Sequence, residues 1–437
     1  MVKAAEVFVP SDYPTVTYVQ RDGDSLEEKV ARALDTPKSP ISISGPSKSG
    51  KTALVKNMVG EDNLIQIYGT QIEAAGDLWK SILDWIETPT TVSTSSGATE
   101  SVVPNISTSA RIGVPALAEV TIGGRVQTTT AANSNSTATM NNQGMAAVSR
   151  EIANSDFIVF VDDFHYIARE MQEAVGRQIK TGSDAGIRFC IASVPHRSDD
   201  VVRSNHELRG RTVNIDTSYW SESDLTKIPE LGFRELNVTV DDIVFARLAK
   251  KSCTSPQIMQ ALCLELCFDK KIKERFEERA DISVSEDDIK DVLEKTSTRT
   301  DYSSLLRQMH AGPRVRGTER KEFHFVDGSM GDAYRACLLA IKADPPTMSY
   351  NYHQILERIS AVCVDEKPSG SSLTESLKQI SGFAEQMHAT QRIVEWDPDA
   401  ASGTFSIIDP YFLFFLRSSD LIERLGKIAD GQLKKLI

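Results

Sequence analysis

The feature that most constrains this chain is the loop Gly45-Pro46-Ser47-Lys48-Ser49-Gly50-Lys51-Thr52, which follows the β-rich run Pro40–Ser44 and opens a helical pattern over Lys51–Val59. Glycines at both ends let the backbone turn its N–H groups inward on phosphate oxygens, and the helix presents its positive end to the same point. Lys51 is placed to reach β and γ phosphates, and the Thr52 hydroxyl to ligate Mg²⁺. The loop therefore reads as a P-loop for ATP or ADP with Mg²⁺.

A second motif supports the first. Phe157-Ile158-Val159-Phe160-Val161-Asp162-Asp163 is an apolar strand ending in two acids, which places carboxylates at the carboxyl edge of a sheet. Asp162 is the expected Mg²⁺ partner, through water. Asp163 is the candidate for orienting or deprotonating an attacking water; the plain alternative is a structural acid. Ser193 follows the apolar run Ile187–Ala192, either as a phosphate-sensing group or as an ordinary strand-end serine. Leu64–Tyr68 and Thr212–Asp216 are further strand candidates, and Asp77–Glu87 a helix with one apolar side. Strands alternating with helices over residues 36–216 predict an α/β core with a parallel sheet.

Residues 88–139 break the rhythm, with 20 Ser or Thr and four charged residues. Within them Val114–Val126 alternates around Gly123-Gly124, so a β-ribbon competes with a disordered loop. From Ser221 the pattern turns helical, with Asp241–Ala249, Pro256–Phe268 and Ser285–Leu293 as candidates. Ser285 and Asp288 form a capping arrangement. Arg299–Lys321 is polar and basic and reads as a linker. Helices over Gly331–Ile341, Tyr352–Val362 and Ser371–Met387, then strands over Arg392–Trp396 and Thr404–Ile408, predict a winged helix with its wing tip at Asp397–Gly403.

Composition narrows the class. The chain has 437 residues, 40% hydrophobic and 25% charged, as an ordinary multidomain globular protein does. No apolar run approaches the roughly 18 residues of a membrane span. The first residues show no signal core, so the expectation is a cytoplasmic protein without membrane contact. A net charge of −12 speaks against a constitutive nucleic-acid coat. Cys263 and Cys267 share a helix face, as a zinc pair or, with no second ligand pair at suitable spacing, as buried thiols.

Together these residues resemble the AAA+-like ATPases, and more narrowly the STAND and archaeal-type ATPases related to origin-recognition ATPases. The resemblance rests on Gly45–Thr52, on Val159–Tyr166 and on the strand ending in Ser193. Asn205–Arg211 and Ile408-Asp409-Pro410-Tyr411 through Arg417 add to it. It implies a P-loop core at 36–220 with the insertion at 88–142, a helical lid at 221–298, a linker at 299–322 and a winged helix at 323–437. It also implies an adenine side formed by the segment 1–35 around Tyr18 and Arg21. Thr254-Ser255-Pro256 is similar to the lid turn through which such ATPases touch nucleotide, so Pro256 joins the cofactor set, although Thr254 replaces the usual glycine. Gln257 stands near where many lids carry a sensor arginine. Arg209 and Arg211 stand where an arginine finger would sit, or cap a helix end. The implied function is an ATP-driven homo-oligomer or switch that controls a separate effector protein, as in signalling or anti-phage defence. A DNA-associated ATPase of loading or target-selection type is the alternative. DNA is the less favoured partner, because Ser371–Met387 carries Lys378 against Glu375 and Glu385.

Overall fold

The computed structural model describes residues 1–21, 26–86, 136–194, 208, 210–217, 219–314, 317, 320–389, 391–398 and 403–426, with backbone alone for 136–143. The expected ribbon at Val114–Val126, Arg209 and most of the wing tip lie outside them.

The first part contains α1 (Ala4–Val7), α2 (Leu26–Leu34), β1 (Ile41–Ser44), α3 (Lys51–Val59), β2 (Leu64–Tyr68), α4 (Asp77–Trp85) and α5 (Ser136–Ile152). It continues with β3 (Ile158–Asp162), α6 (Arg169–Asp184), β4 (Arg188–Ser193) and β5 (Val213–Asp216). The five strands form one parallel sheet in the order β2-β3-β4-β1-β5. Both faces are covered, which is why these strands read as continuous apolar runs. Ile158 and Phe160 pack with Leu54, Val55 and Val30 from α3 and α2. The alternate residues Val159 and Val161 pack with Trp79, Val148 and Val175 from α4, α5 and α6.

A helical lid follows: α7 (Glu222–Glu235), β6 (Val238–Thr239), α8 (Asp242–Lys251), α9 (Pro256–Asp269), β7 (Ala280–Asp281) and α10 (Glu286–Thr298). α7 lies in the stretch predicted to be helical from Ser221, though not among the individual helices expected there; it carries Pro229 in its interior, a residue that ordinarily argues against a helix. Burial of Leu225, Ile228 and Phe233 outweighs it. The capping arrangement at Ser285 forms in full, Asp288 N–H donating to Ser285 Oγ (3.2 Å) and Ser285 N–H to Asp288 Oδ2 (2.7 Å). Cys263 and Cys267 are buried, unbridged thiols in α9.

The stretch expected as a linker holds α11 (Ser303–Ala311), whose Leu305, Leu306 and Met309 are buried. Three apolar positions in a polar sequence suffice once a neighbouring core receives them. The winged helix comprises β8 (Phe323–His324), β9 (Met330–Gly331), α12 (Ala333–Lys342), β10 (Ser349–Asn351), α13 (Tyr352–Val362) and α14 (Gly370–Met387). It ends with β11 (Val394–Asp397), β12 (Thr404–Ile407), α15 (Pro410–Ser418) and α16 (Leu421–Gly426). Its antiparallel sheet has three strands, β10-β12-β11, where the sequence predicts two; β10 is too short to show a period. Lid and winged helix share one apolar core, with α10 packed on α15. The architecture is a parallel-sheet P-loop core with a helical lid and a C-terminal winged helix. Among the described residues, no helix is long and apolar enough to cross a membrane.

Candidate functional site

β1 is an interior strand and buried throughout, so the chain leaves the carboxyl edge of the sheet between β4 and β5. The loop that follows needs its two glycines for different reasons. A Cβ on Gly45 would lie 1.8 Å from Thr217 Oγ1, whose hydroxyl donates to the Ser44 carbonyl at 3.1 Å. Gly50 holds φ +90° as the residue that enters α3, a conformation glycine adopts without a steric penalty.

Lys51 is buried, and its ammonium donates to the carbonyls of Gly45 (2.9 Å) and Pro46 (2.8 Å). Burial pulls its pKa below the usual lysine range, while Asp162 and Asp163 oppose the shift. The Thr52 hydroxyl donates to Asp162 Oδ2 at 2.7 Å, and the Gln66 amide reaches the same oxygen at 3.3 Å. Asp162 Oδ1 accepts from the Asp163 N–H at 3.0 Å. Asp163 takes the left-handed backbone conformation, φ 56°, just past β3. Burial, then the neighbouring Asp162 charge, raise its pKa to about 6.

These groups border one cavity of about 510 Å³. Ser47, Lys48, Ser49, Gly50, Lys51 and Thr52 line one side, with Asp162 and Asp163 beside them. Val9, Pro14, Tyr18, Val19, Arg21, Ile228 and Pro256 also line the cavity. The Tyr18 hydroxyl donates to Glu27 Oε1 at 2.8 Å. Arg21 lies 5.3 Å from the ring centroid of Trp220, whose indole N–H donates to the Ser49 carbonyl at 2.8 Å.

Two expected residues sit elsewhere. Ser193 is fully buried beneath the loop rather than on the cavity wall, because β4 runs beside β1 and its carbonyl takes the Gly45 N–H at 3.1 Å. Arg211 precedes β5 at the amino edge of the sheet, across from the P-loop, and pairs with Asp184 at 3.4 Å. Sequence reasoning missed Gln66, Trp220 and Gln260. The signal for Gln66 was a polar residue inside an otherwise apolar strand. For Gln260 it was an uncharged polar residue at the buried face of an apolar helix.

A nucleotide-loop strand inside a β2-β3-β4-β1-β5 sheet, acids ending β3, and an appended lid and winged helix decide the fold. It is a P-loop NTPase fold with a helical lid and a C-terminal winged helix. No protein-family model and no curated protein matches the chain. Among solved structures, the chain is similar to Cdc6p of Pyrobaculum aerophilum, with 12% identity, 98% of this chain and 100% of that one covered, and a TM-score of 0.42. The ORC2 protein of Aeropyrum pernix in its ADPNP–ADP complexes gives 12% identity, 98% and 100% coverage, and 0.49. A Walker-type ATPase of Pyrococcus abyssi gives 13% identity, 91% and 95% coverage, and 0.47.

Proposed function

We propose that this chain binds ATP with Mg²⁺, hydrolyses it slowly, and uses the nucleotide to change its engagement with neighbouring copies and a separate effector protein. The observation that carries the reading is the convergence of Lys51, Thr52, Asp162 and Asp163 on one cavity. Lys51 would exchange its two carbonyls for phosphate oxygens. A hydroxyl and a carboxylate held together suit a hard cation, so Thr52 and Asp162 would hold Mg²⁺, which supplies charge neutralisation at the phosphates. Asp163 would orient water or take its proton, and its shorter reach than a glutamate fits slow turnover. Arg211, remote from its own cavity, would serve as a finger toward a neighbouring subunit's nucleotide. Ser193 would act from beneath the loop, through Gly45.

The apolar wall of Val19, Ile228 and Pro256, with Tyr18 and Arg21, would take the base. Gln260 supports adenine. The Thr17 hydroxyl donates to the Val7 carbonyl at 3.0 Å, so its oxygen accepts the Gln260 amide N–H at 2.6 Å. That orients the amide and leaves Gln260 Oε1 buried with no partner among the described residues, in a residue bordering the cavity. Once the side chain shifts toward the cavity, a base amino group would satisfy Oε1 and a base carbonyl would not. Calorimetry should show Mg·ATP bound about tenfold more tightly than Mg·GTP, and Gln260→Leu should close most of that gap. Equal affinities in the parent, or an unchanged ratio in the variant, would remove Gln260 from this role.

The winged helix supports a second reading, a DNA-associated ATPase, since such folds can place a helix in the major groove. α14 would be that helix, and its charges do not favour it. Fluorescence anisotropy with a labelled duplex, with and without ATP, separates the two readings.

A further inference from the structure

Lys48 belongs to the nucleotide loop by sequence and to the winged helix by contact. Its ammonium donates to Asp409 Oδ1 at 2.7 Å and lies 4.6 Å from the ring centroid of Tyr411. Asp409 is buried, and its other donors among the described residues are Tyr302, Gln391 and Tyr411. Oδ2 accepts from the Tyr302 hydroxyl at 2.8 Å and from the Gln391 amide at 2.7 Å, and Oδ1 accepts the Tyr411 N–H at 2.9 Å. All three donors are neutral, so Lys48 supplies the balancing charge. A buried carboxylate deprived of its cation is strongly disfavoured.

The contact is part of a wider seam. Pro46 and Ser47 share a small cavity with Met348, Ser349, Ile407 and Ile408, so the outer face of the loop lies against the winged-helix sheet. Tyr166, just past the acidic strand, lies near the Arg392 backbone. The nucleotide loop touches the winged helix, and the acidic motif approaches it at Arg392. Lys48 also borders the nucleotide cavity, so phosphate oxygens entering the loop compete with Asp409 for one ammonium.

We propose that Lys48 and Asp409 form a charge latch that holds the winged helix on the empty P-loop and is broken by nucleotide phosphates; this rests on the reading of the cavity as an ATP site. With phosphates in the loop, the Asp409 carboxylate faces added negative charge and shares the one ion-pair partner it has among the described residues. Its attachment to the loop weakens while its bonds within the winged helix persist. Linkage requires the converse: removing the latch strengthens nucleotide binding by the factor by which nucleotide weakens the latch.

The test combines amide hydrogen exchange with calorimetry on the full chain, using Mg·ATPγS as the probe. In the parent, nucleotide should raise exchange in 391–398 and 403–411 at least threefold. Asp409→Asn, which keeps the side chain's size and an acceptor for Tyr411, should show that raised exchange without nucleotide and bind the probe about tenfold more tightly. Lys48→Met breaks the same pair from the loop side and should raise exchange in the same segments, which guards against a folding defect peculiar to position 409. Probe binding in the parent, with exchange unchanged and with Asp409→Asn affinity within twofold, would overturn the latch and leave the ATP site standing. No probe binding in the parent would overturn the ATP site and, with it, the nucleotide-broken latch.

Discussion

Lys51→Ala is expected to weaken Mg·ATP binding by about 100-fold or more while the chain stays folded. The ammonium is buried, and its bonded partners are the two neutral carbonyls of Gly45 and Pro46. Its charge is thus not neutralised by direct contact, and burial already opposes it. An incoming phosphate removes that penalty, and a charge-assisted bond of this kind is worth roughly 1.5–3 kcal/mol, about 10- to 100-fold in affinity for each phosphate engaged. Alanine forfeits this, and it also removes the cost of a buried cation, so the thermal midpoint should change little. Calorimetry and a melting curve on the same preparation check both halves. Unchanged affinity in a folded variant would sink the assignment.

Asp163→Asn is expected to lower single-turnover hydrolysis by about 10²- to 10⁴-fold, the range of general acid–base contributions, with nucleotide affinity retained within a few fold. Asn tolerates the left-handed backbone that Asp163 occupies, so the turn after β3 should survive. Asp162 keeps its bonds from Thr52 and Gln66, so the proposed Mg²⁺ site is left intact. What is lost is a proton acceptor that burial and Asp162 set near pH 6. Quench-flow measurement with protein in excess isolates the step. Turnover equal to the parent would reduce Asp163 to a structural acid.

The local parts of this protein are legible one segment at a time. Gly45–Thr52, the acids after Val161 and the cap at Ser285 are decided by residues a few positions apart, because turns, caps and strand ends form from neighbouring backbone groups. The helices not individually expected have a common cause. α7 carries an internal proline and α11 only three buried apolar side chains, so each depends on a distant core that no local pattern reveals. Arg335 shows the same limit: it reads as an ordinary charged position, yet it is buried, bonded to Ser329 Oγ at 2.9 Å and to the Ile422 carbonyl at 2.9 Å.

The sequence by itself determined that a phosphate-binding loop, an acidic strand end and a winged-helix pattern exist, since each is written in contiguous residues with a fixed period or spacing. Only the tertiary structure decided that Ser193 lies beneath the loop, that Arg211 stands at the opposite sheet edge, and that Gln260 borders the cavity. It alone joined Lys48 to Asp409, 361 residues away. The physical reason is that backbone hydrogen bonds are satisfied locally, whereas a buried charge takes whichever partner the packing of distant elements delivers.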